Sequence, residues 1–300
     1  MTESERAQGR RGLSNLAQRV LFAVVAIPAV LAAVWIGDWA LAALLAIASA
    51  LAAWEFFRLA DKVGARPMAT AGVVIAGLVP LAIHARYLGL PVDRIVSPTV
   101  AVLIVVGLFS AVIFTRGVTG RPLTSVSATV FGVLYTAAML TFAYALRYHP
   151  YAVGNAAGTA LLGIVLALVW ISDTAAFFVG RTVGKRKLIP AVSPGKTIAG
   201  AVGAVVANGV AGWALVRFIL IPQAQLGLRP VHAILFGIAI SIATQLGDLA
   251  ESLIKREAAV KDSSQIIPGH GGVLDRIDGM LFALPVAYWL LSLWLIPAPR

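Results

Sequence analysis

Residues 98–115 read PTVAVLIVVGLFSAVIFT, eighteen positions without a charge, flanked by Arg94 and Arg116. A stretch of this length and composition is read as a helix that crosses a membrane. About 20 apolar residues, rising 1.5 Å each, cover roughly 30 Å of hydrocarbon. Working outward, the same reading applies to eight further runs, near 20–36, 39–58, 68–85, 126–147, 156–180, 198–220, 231–250 and 279–297. Helices are expected because spanning strands would leave backbone groups unpaired in lipid. The period-two alternation of a membrane barrel is also missing. The expected fold is an all-α integral membrane protein with about nine transmembrane helices.

Composition leads to the same place. Of 300 residues, 60% are hydrophobic and 12% charged, against roughly 25% charged in a soluble domain. A net charge of +11 would suggest nucleic acid as a partner for a soluble chain. Here the basic residues sit in short connections, so no nucleic acid is expected and the lipid bilayer is the partner. Residues 1–18 read as a basic cytoplasmic tail, and 19–300 as a single polytopic transmembrane catalytic domain with an uncleaved first helix. With the tail inside, the cytoplasmic segments hold 18 Lys and Arg and the outer ones five, Arg86, Arg94, Arg147, Arg229 and Arg300. This is the positive-inside asymmetry, and it puts the C-terminus outside. There is no cysteine, which excludes disulfides, thiolate metal sites and cysteine nucleophiles. Gly200, Gly203, Gly209 and Gly212 read as close helix packing. His84, His149 and His232 read as interfacial residues of the outer side.

Acids in or beside membrane spans are candidate functional groups, because burying them unpaired is costly. Asp173 lies inside the cytoplasmic end of the sixth span. Asp248 and Glu251 end the eighth, and Asp275 and Asp278 open the ninth. All five fall at one membrane face, which places the active site at the cytoplasmic side. Spacings of three put Asp275 with Asp278, and Asp248 with Glu251, on one helical face. Oxygen-only ligands suit Mg²⁺ or another hard ion, and Asp248, Asp275 and Asp278 are the expected metal ligands. Glu251 has Lys255 or Arg256 as an alternative partner, and Asp275 can serve as a helix cap. Between the acids, residues 252–278 read SLIKREAAVKDSSQIIPGHGGVLDRID. Three cations, Lys255, Arg256 and Lys261, precede a flexible turn through Gly269-His270-Gly271, an arrangement suited to an anionic substrate. His270 can act as a base, a ligand or a donor to phosphate. A second loop, 180–197, reads GRTVGKRKLIPAVSPGKT. Its Gly-Lys-Thr is no Walker A loop, because Pro190 stands where the first glycine is required and no strand precedes it. Backbone N–H groups at the following helix start, with Lys196, still suit phosphate oxygens.

The 252–278 stretch resembles the signature of bacterial phosphatidate cytidylyltransferases, also called CDP-diacylglycerol synthases. The matching positions are Ser252, Lys255, Arg256, Lys261, Asp262, Ser264, Pro268, His270, Gly271, Gly272, Asp275, Arg276 and Asp278. The run from Asp173 through Gly180-Arg181, Gly184-Lys185, Leu188, Pro190 and Ser193-Pro194 to Lys196-Thr197 is similar to the family's second motif, with Gly195 where many members carry Lys. The N-terminal half matches only in being helical and apolar, with Trp54-Glu55-Phe56 reminiscent of relatives. The resemblance implies transfer from CTP to phosphatidate, giving CDP-diacylglycerol and pyrophosphate. It also implies Mg²⁺, as one or two ions with the second either Mg²⁺ or a different cation, and a homodimer in the bacterial inner membrane. It implies catalytic roles for Asp248, Asp275, Asp278, His270, Lys255 and Arg256. Substrate contacts fall to Asp173, Arg181, Lys185, Ser193, Lys196, Thr197, Ser252, Lys261 and Arg276, and His270 becomes an orienter or phosphate contact. A CTP-dependent lipid kinase shares this metal and phosphate logic. A CDP-alcohol phosphatidyltransferase would carry a signature that is missing here, and a transporter would place its polar groups nearer mid-membrane.

Overall fold

Helices that are apolar all round need either other helices or lipid against them, and this chain uses both. The computed structural model describes residues 15–92, 94, 97–267, 269 and 271–297, with side-chain surroundings from Val24 to Ile296. All nine apolar runs are helical. They are α1 (Asn15–Ile36), α2 (Asp38–Lys62), α3 (Ala69–Tyr87), α4 (Pro98–Thr115), α5 (Pro122–Arg147), α6 (Gly154–Val183), α7 (Ile198–Ala224), α8 (Pro230–Glu257) and α9 (Leu274–Trp294). Among the described residues eight, α2 to α9, are long and apolar enough to cross a membrane; Val24–Ile36 of α1 is a shorter apolar helix. One π-helical turn interrupts α5 at Leu134–Ala138 and another interrupts α7 at Val216–Leu220.

Two small sheets modify the all-α expectation. Between α6 and α7, β1 (Lys187–Ile189) pairs antiparallel with β2 (Ser193–Thr197), so a short strand does precede the Gly-Lys-Thr run, contrary to expectation, and Pro190 alone argues against a Walker A loop. Pro190 and Pro194 forbid a continuous helix there, and the segment satisfies part of its backbone as a hairpin instead. β3 (Leu226–Gly227) pairs with β4 (Ile296–Pro297) at the opposite end of the bundle.

The central packing is of α6 on α7, α7 on α8 and α8 on α9, with α2 on α3 beside them. Leu161, Leu168, Phe236, Ile240, Leu281 and Leu291 are among the core side chains. Val102, Leu103 and Ile113 of α4 and Val202, Val206 and Val210 of α7 face outward, as lipid-facing residues should. Two close approaches depend on glycine. A Cβ on Gly212 of α7 would lie 2.6 Å from the carbonyl oxygen of Ala233 in α8. A Cβ on Gly247 of α8 would lie 2.5 Å from the carbonyl oxygen of Asp278 in α9. The small-residue reading therefore holds.

The histidines differ from their expectation. His84 is fully buried, paired with Asp38 at 3.1 Å and hydrogen-bonded to Tyr144. His149 is buried against Ser292, and burial pushes its pKa down. His232 stacks on Trp294. Helix packing at that end leaves little interface for the first two to occupy.

Candidate active site

Asp248 follows Gly247, and Asp278 precedes Gly279. The contact between those glycines draws the two carboxylates together at one end of the bundle. Asp173 of α6 completes a group whose members all lie within electrostatic reach of one another. Three negative charges so placed call for counter-charge. Lys196, at the end of the hairpin, supplies one by pairing with Asp248 at 2.6 Å, and Arg276 lies within electrostatic reach of Asp173. Ser252, one turn on from Asp248, donates to its Oδ1 at 3.3 Å. Asp278 Oδ1 accepts from the backbone N–H of Gly279. Helix α8 runs two turns past Asp248 and α6 ten residues past Asp173, so these acids sit deeper than the helix ends.

A second set of charges closes on itself. Lys255 Nζ pairs with Glu251 one turn away and with Asp275 Oδ1 at 2.6 Å. Asp275 Oδ2 accepts from the N–H of Ser263 at 3.0 Å, from its hydroxyl at 2.8 Å and from the N–H of Gly272 at 2.8 Å. Glu55, fully buried on α2, accepts from the N–H groups of Val273 and Leu274 at 2.9 and 2.7 Å. It also accepts from the Ser264 hydroxyl, and the single Ser263 hydroxyl proton lies between it and Asp275. A carboxylate from 219 residues earlier thus caps α9, where unpaired N–H groups favour an anion.

These contacts show what surrounds several of the expected site residues. Both oxygens of Asp275 accept hydrogen bonds and Lys255 adjoins it, whereas Asp248 and Asp278 face each other with fewer donors. Lys255 is held between two acids, Glu251 and Asp275. Arg256 donates to the carbonyls of Val192 and Val260, which ties the hairpin to the loop after α8. Thr197 is buried and caps α7, its hydroxyl accepting from the N–H of Gly200 at 3.1 Å. Among the described residues no three His, Asp or Glu side chains form a metal cage. Mg²⁺, however, commonly takes one or two carboxylates plus substrate phosphates and water, and the pair Asp248 and Asp278 fits that pattern.

The cytidylyltransferase family matches residues 17–294 of the sequence. The chain belongs to the cytidylyltransferase family. It is similar to phosphatidate cytidylyltransferases of Bacillus subtilis, 45% identical over 127 residues, 42% of this chain and 45% of that protein, and of Haemophilus influenzae, 45% over 141 residues, 47% and 48%. That of Brucella suis is 45% identical over 131 residues, 44% and 46%. The matched region spans about half the length of each of these relatives.

In this cytidylyltransferase family chain, Asp173, Asp248, Asp278, Lys196, Ser252 and Arg276 come together as one site. Arg181 and Lys185 are exposed at the C-terminal end of α6 and just beyond it, and Ser193 is half-buried at the start of β2. Lys261 faces a separate cavity. His270 lies outside the described residues. Two residues without an expected role enter the site's surroundings. Glu55 carries a signal that sequence reading passed over, since an acid inside an apolar span demands partners. Tyr135, in the π turn of α5, is buried with its hydroxyl unpartnered among the described residues. It lies within electrostatic reach of Glu251, Asp278 and Asp248. No local pattern announced it, though π turns recur at functional sites.

Proposed function

We propose that this chain is a phosphatidate cytidylyltransferase, making CDP-diacylglycerol and pyrophosphate from CTP and phosphatidate. The observation that carries the reading is the Asp248–Lys196 pair beside Asp278 at one end of an apolar bundle, in a family whose relatives bear that name. A phosphate oxygen of phosphatidate attacks the α-phosphorus of CTP in line with the leaving group. A new P–O bond forms as the bond from the α-phosphorus to the bridging oxygen breaks, and its electron pair departs on pyrophosphate. The attacking oxygen is already anionic, so no general base is required.

Lys196 can leave Asp248 for a phosphate, and Arg276, Arg181 and Lys185 add positive charge around the triphosphate. Asp248 and Asp278, with Asp173 nearby, would hold Mg²⁺, as one or two ions with the second either Mg²⁺ or a different cation. When bound, the metal lowers the charge on the triphosphate and on the leaving group. Asp275, Lys255 and Glu55 fix the start of α9 and so the position of Asp278. The site is assigned to the cytoplasmic face of a bacterial inner membrane, where lipid and nucleotide meet, and the protein to a homodimer.

Purified protein supplied with phosphatidate and CTP labelled at the α-phosphate should yield labelled CDP-lipid. Label entering lipid only from the γ-phosphate would identify a lipid kinase and overturn the reading.

A further inference from the structure

The same end of the molecule holds a second polar cavity, of about 510 Å³, between the C-terminal part of α2 and the loop joining α8 to α9. Arg58 and Lys62 reach it from α2, and Lys261 from the loop. A spacing of four puts the first two on one helical face. Asp262 is the one carboxylate among the lining residues, so cations outnumber it three to one. Among the described residues none of the three cations makes an ion pair. The Arg58 guanidinium lies over the Trp54 ring at 4.7 Å. Stacking fixes its plane and leaves the N–H donors at the edge for an acceptor.

Membrane topology accounts for basic residues on this face of the protein. It does not account for their convergence, from segments about two hundred positions apart, on one cavity. All three are exposed, so solvent screens most of their repulsion, but their convergence on one space offers an anion several charged donors at once. Ser263 and Ser264 also line the cavity, and both hydroxyls lie within hydrogen-bond reach of Glu55. The Ser263 hydroxyl lies equally within reach of Asp275. The cavity is therefore joined by direct hydrogen bonds to the start of α9, one turn before Asp278.

We propose that this cavity is a phosphate-binding subsite with Arg58, Lys62 and Lys261 as its cationic contacts. It takes either the triphosphate of the nucleotide or the phosphate headgroup of the lipid, and this assignment rests on the transfer reaction proposed above. The subsite adds residues of the N-terminal half to a site otherwise built from the C-terminal half.

Binding, measured apart from turnover, tests it. CTP affinity is read by calorimetry on the full-length protein in detergent, and phosphatidate retention by native mass spectrometry. In the double variant Arg58→Gln with Lys62→Gln, at least about a tenfold loss is expected for one of the two ligands. Loss confined to CTP assigns the triphosphate to the cavity, and loss confined to phosphatidate assigns the headgroup. The charge-keeping pair Arg58→Lys with Lys62→Arg should retain most of the affinity. Both affinities within about twofold of the unaltered protein in the Gln pair would overturn the proposal, as would equal losses in the two pairs. Binding of both ligands without CDP-lipid formation would instead remove the transfer reading and leave the subsite standing.

Discussion

Asp275 and Asp278 are three positions apart and have different work to do. The first is enclosed by Lys255, Ser263 and Gly272. The second faces Asp248 and Asp173. Asp275→Asn breaks a buried ion pair, which costs about 3–5 kcal/mol, and a lower melting temperature in detergent is the expected reading. Asp278→Asn should leave the melting temperature in place and reduce turnover about a hundredfold, as for loss of a metal-supporting carboxylate. A cold-stable Asp275→Asn protein with normal melting, or an active Asp278→Asn protein, would contradict this division. Tyr135 allows a complementary test. Its buried hydroxyl lacks a partner among the described residues, and such a group costs about 1–3 kcal/mol. Tyr135→Phe should therefore raise stability slightly, while lowering turnover about tenfold through loss of one hydrogen bond to a substrate phosphate. Unchanged turnover would make Tyr135 a packing residue only.

At the scale of elements, the contact of α8 with α9 sets the site. Gly247 has no room for a side chain, since a Cβ there would meet the Asp278 carbonyl at 2.5 Å and the Gly279 Cα at 3.1 Å. Gly247→Ala should push the helices apart by about an ångström, a misplacement that costs on the order of a hundredfold in rate. Gly107 of α4 provides the control, because a Cβ there meets nothing within 4 Å. Gly107→Ala should be neutral in rate and stabilising by about 0.4–1 kcal/mol through the unfolded chain. Equal kinetic effects at the two positions would show that helix separation does not control the reaction.

At the scale of the whole molecule, the basic connections predict a membrane orientation that reporters can test. A reporter inserted near Gly120 should behave as cytoplasmic, and one fused after Arg300 as external. With the Gly120 reporter cytoplasmic, a cytoplasmic terminal fusion would mean that one of α5 to α9 does not cross, whereas an external reporter at the N-terminus would mean that eight helices cross and α1 does not, in keeping with the short apolar part described for it. The sequence by itself determined the apolar helices, the hairpin region's break from helix, and the family. Hydrocarbon thickness and the need to pair every backbone group act on each segment separately, so residues 98–115 can be read without their neighbours. The signature between Ser252 and Asp278 is equally local. Tertiary structure alone decided which acid meets which cation. Asp275 and Asp278 have the same spacing to any reader of the chain, yet one is closed off by Lys255 and a serine loop, while the other is left with Asp248. Glu55 reaching α9 across 219 residues, Arg256 holding the hairpin, and Arg58 and Lys62 facing Lys261 all arise from helix packing. Periodicity fixes the face on which a side chain stands, and only the fold fixes what stands opposite.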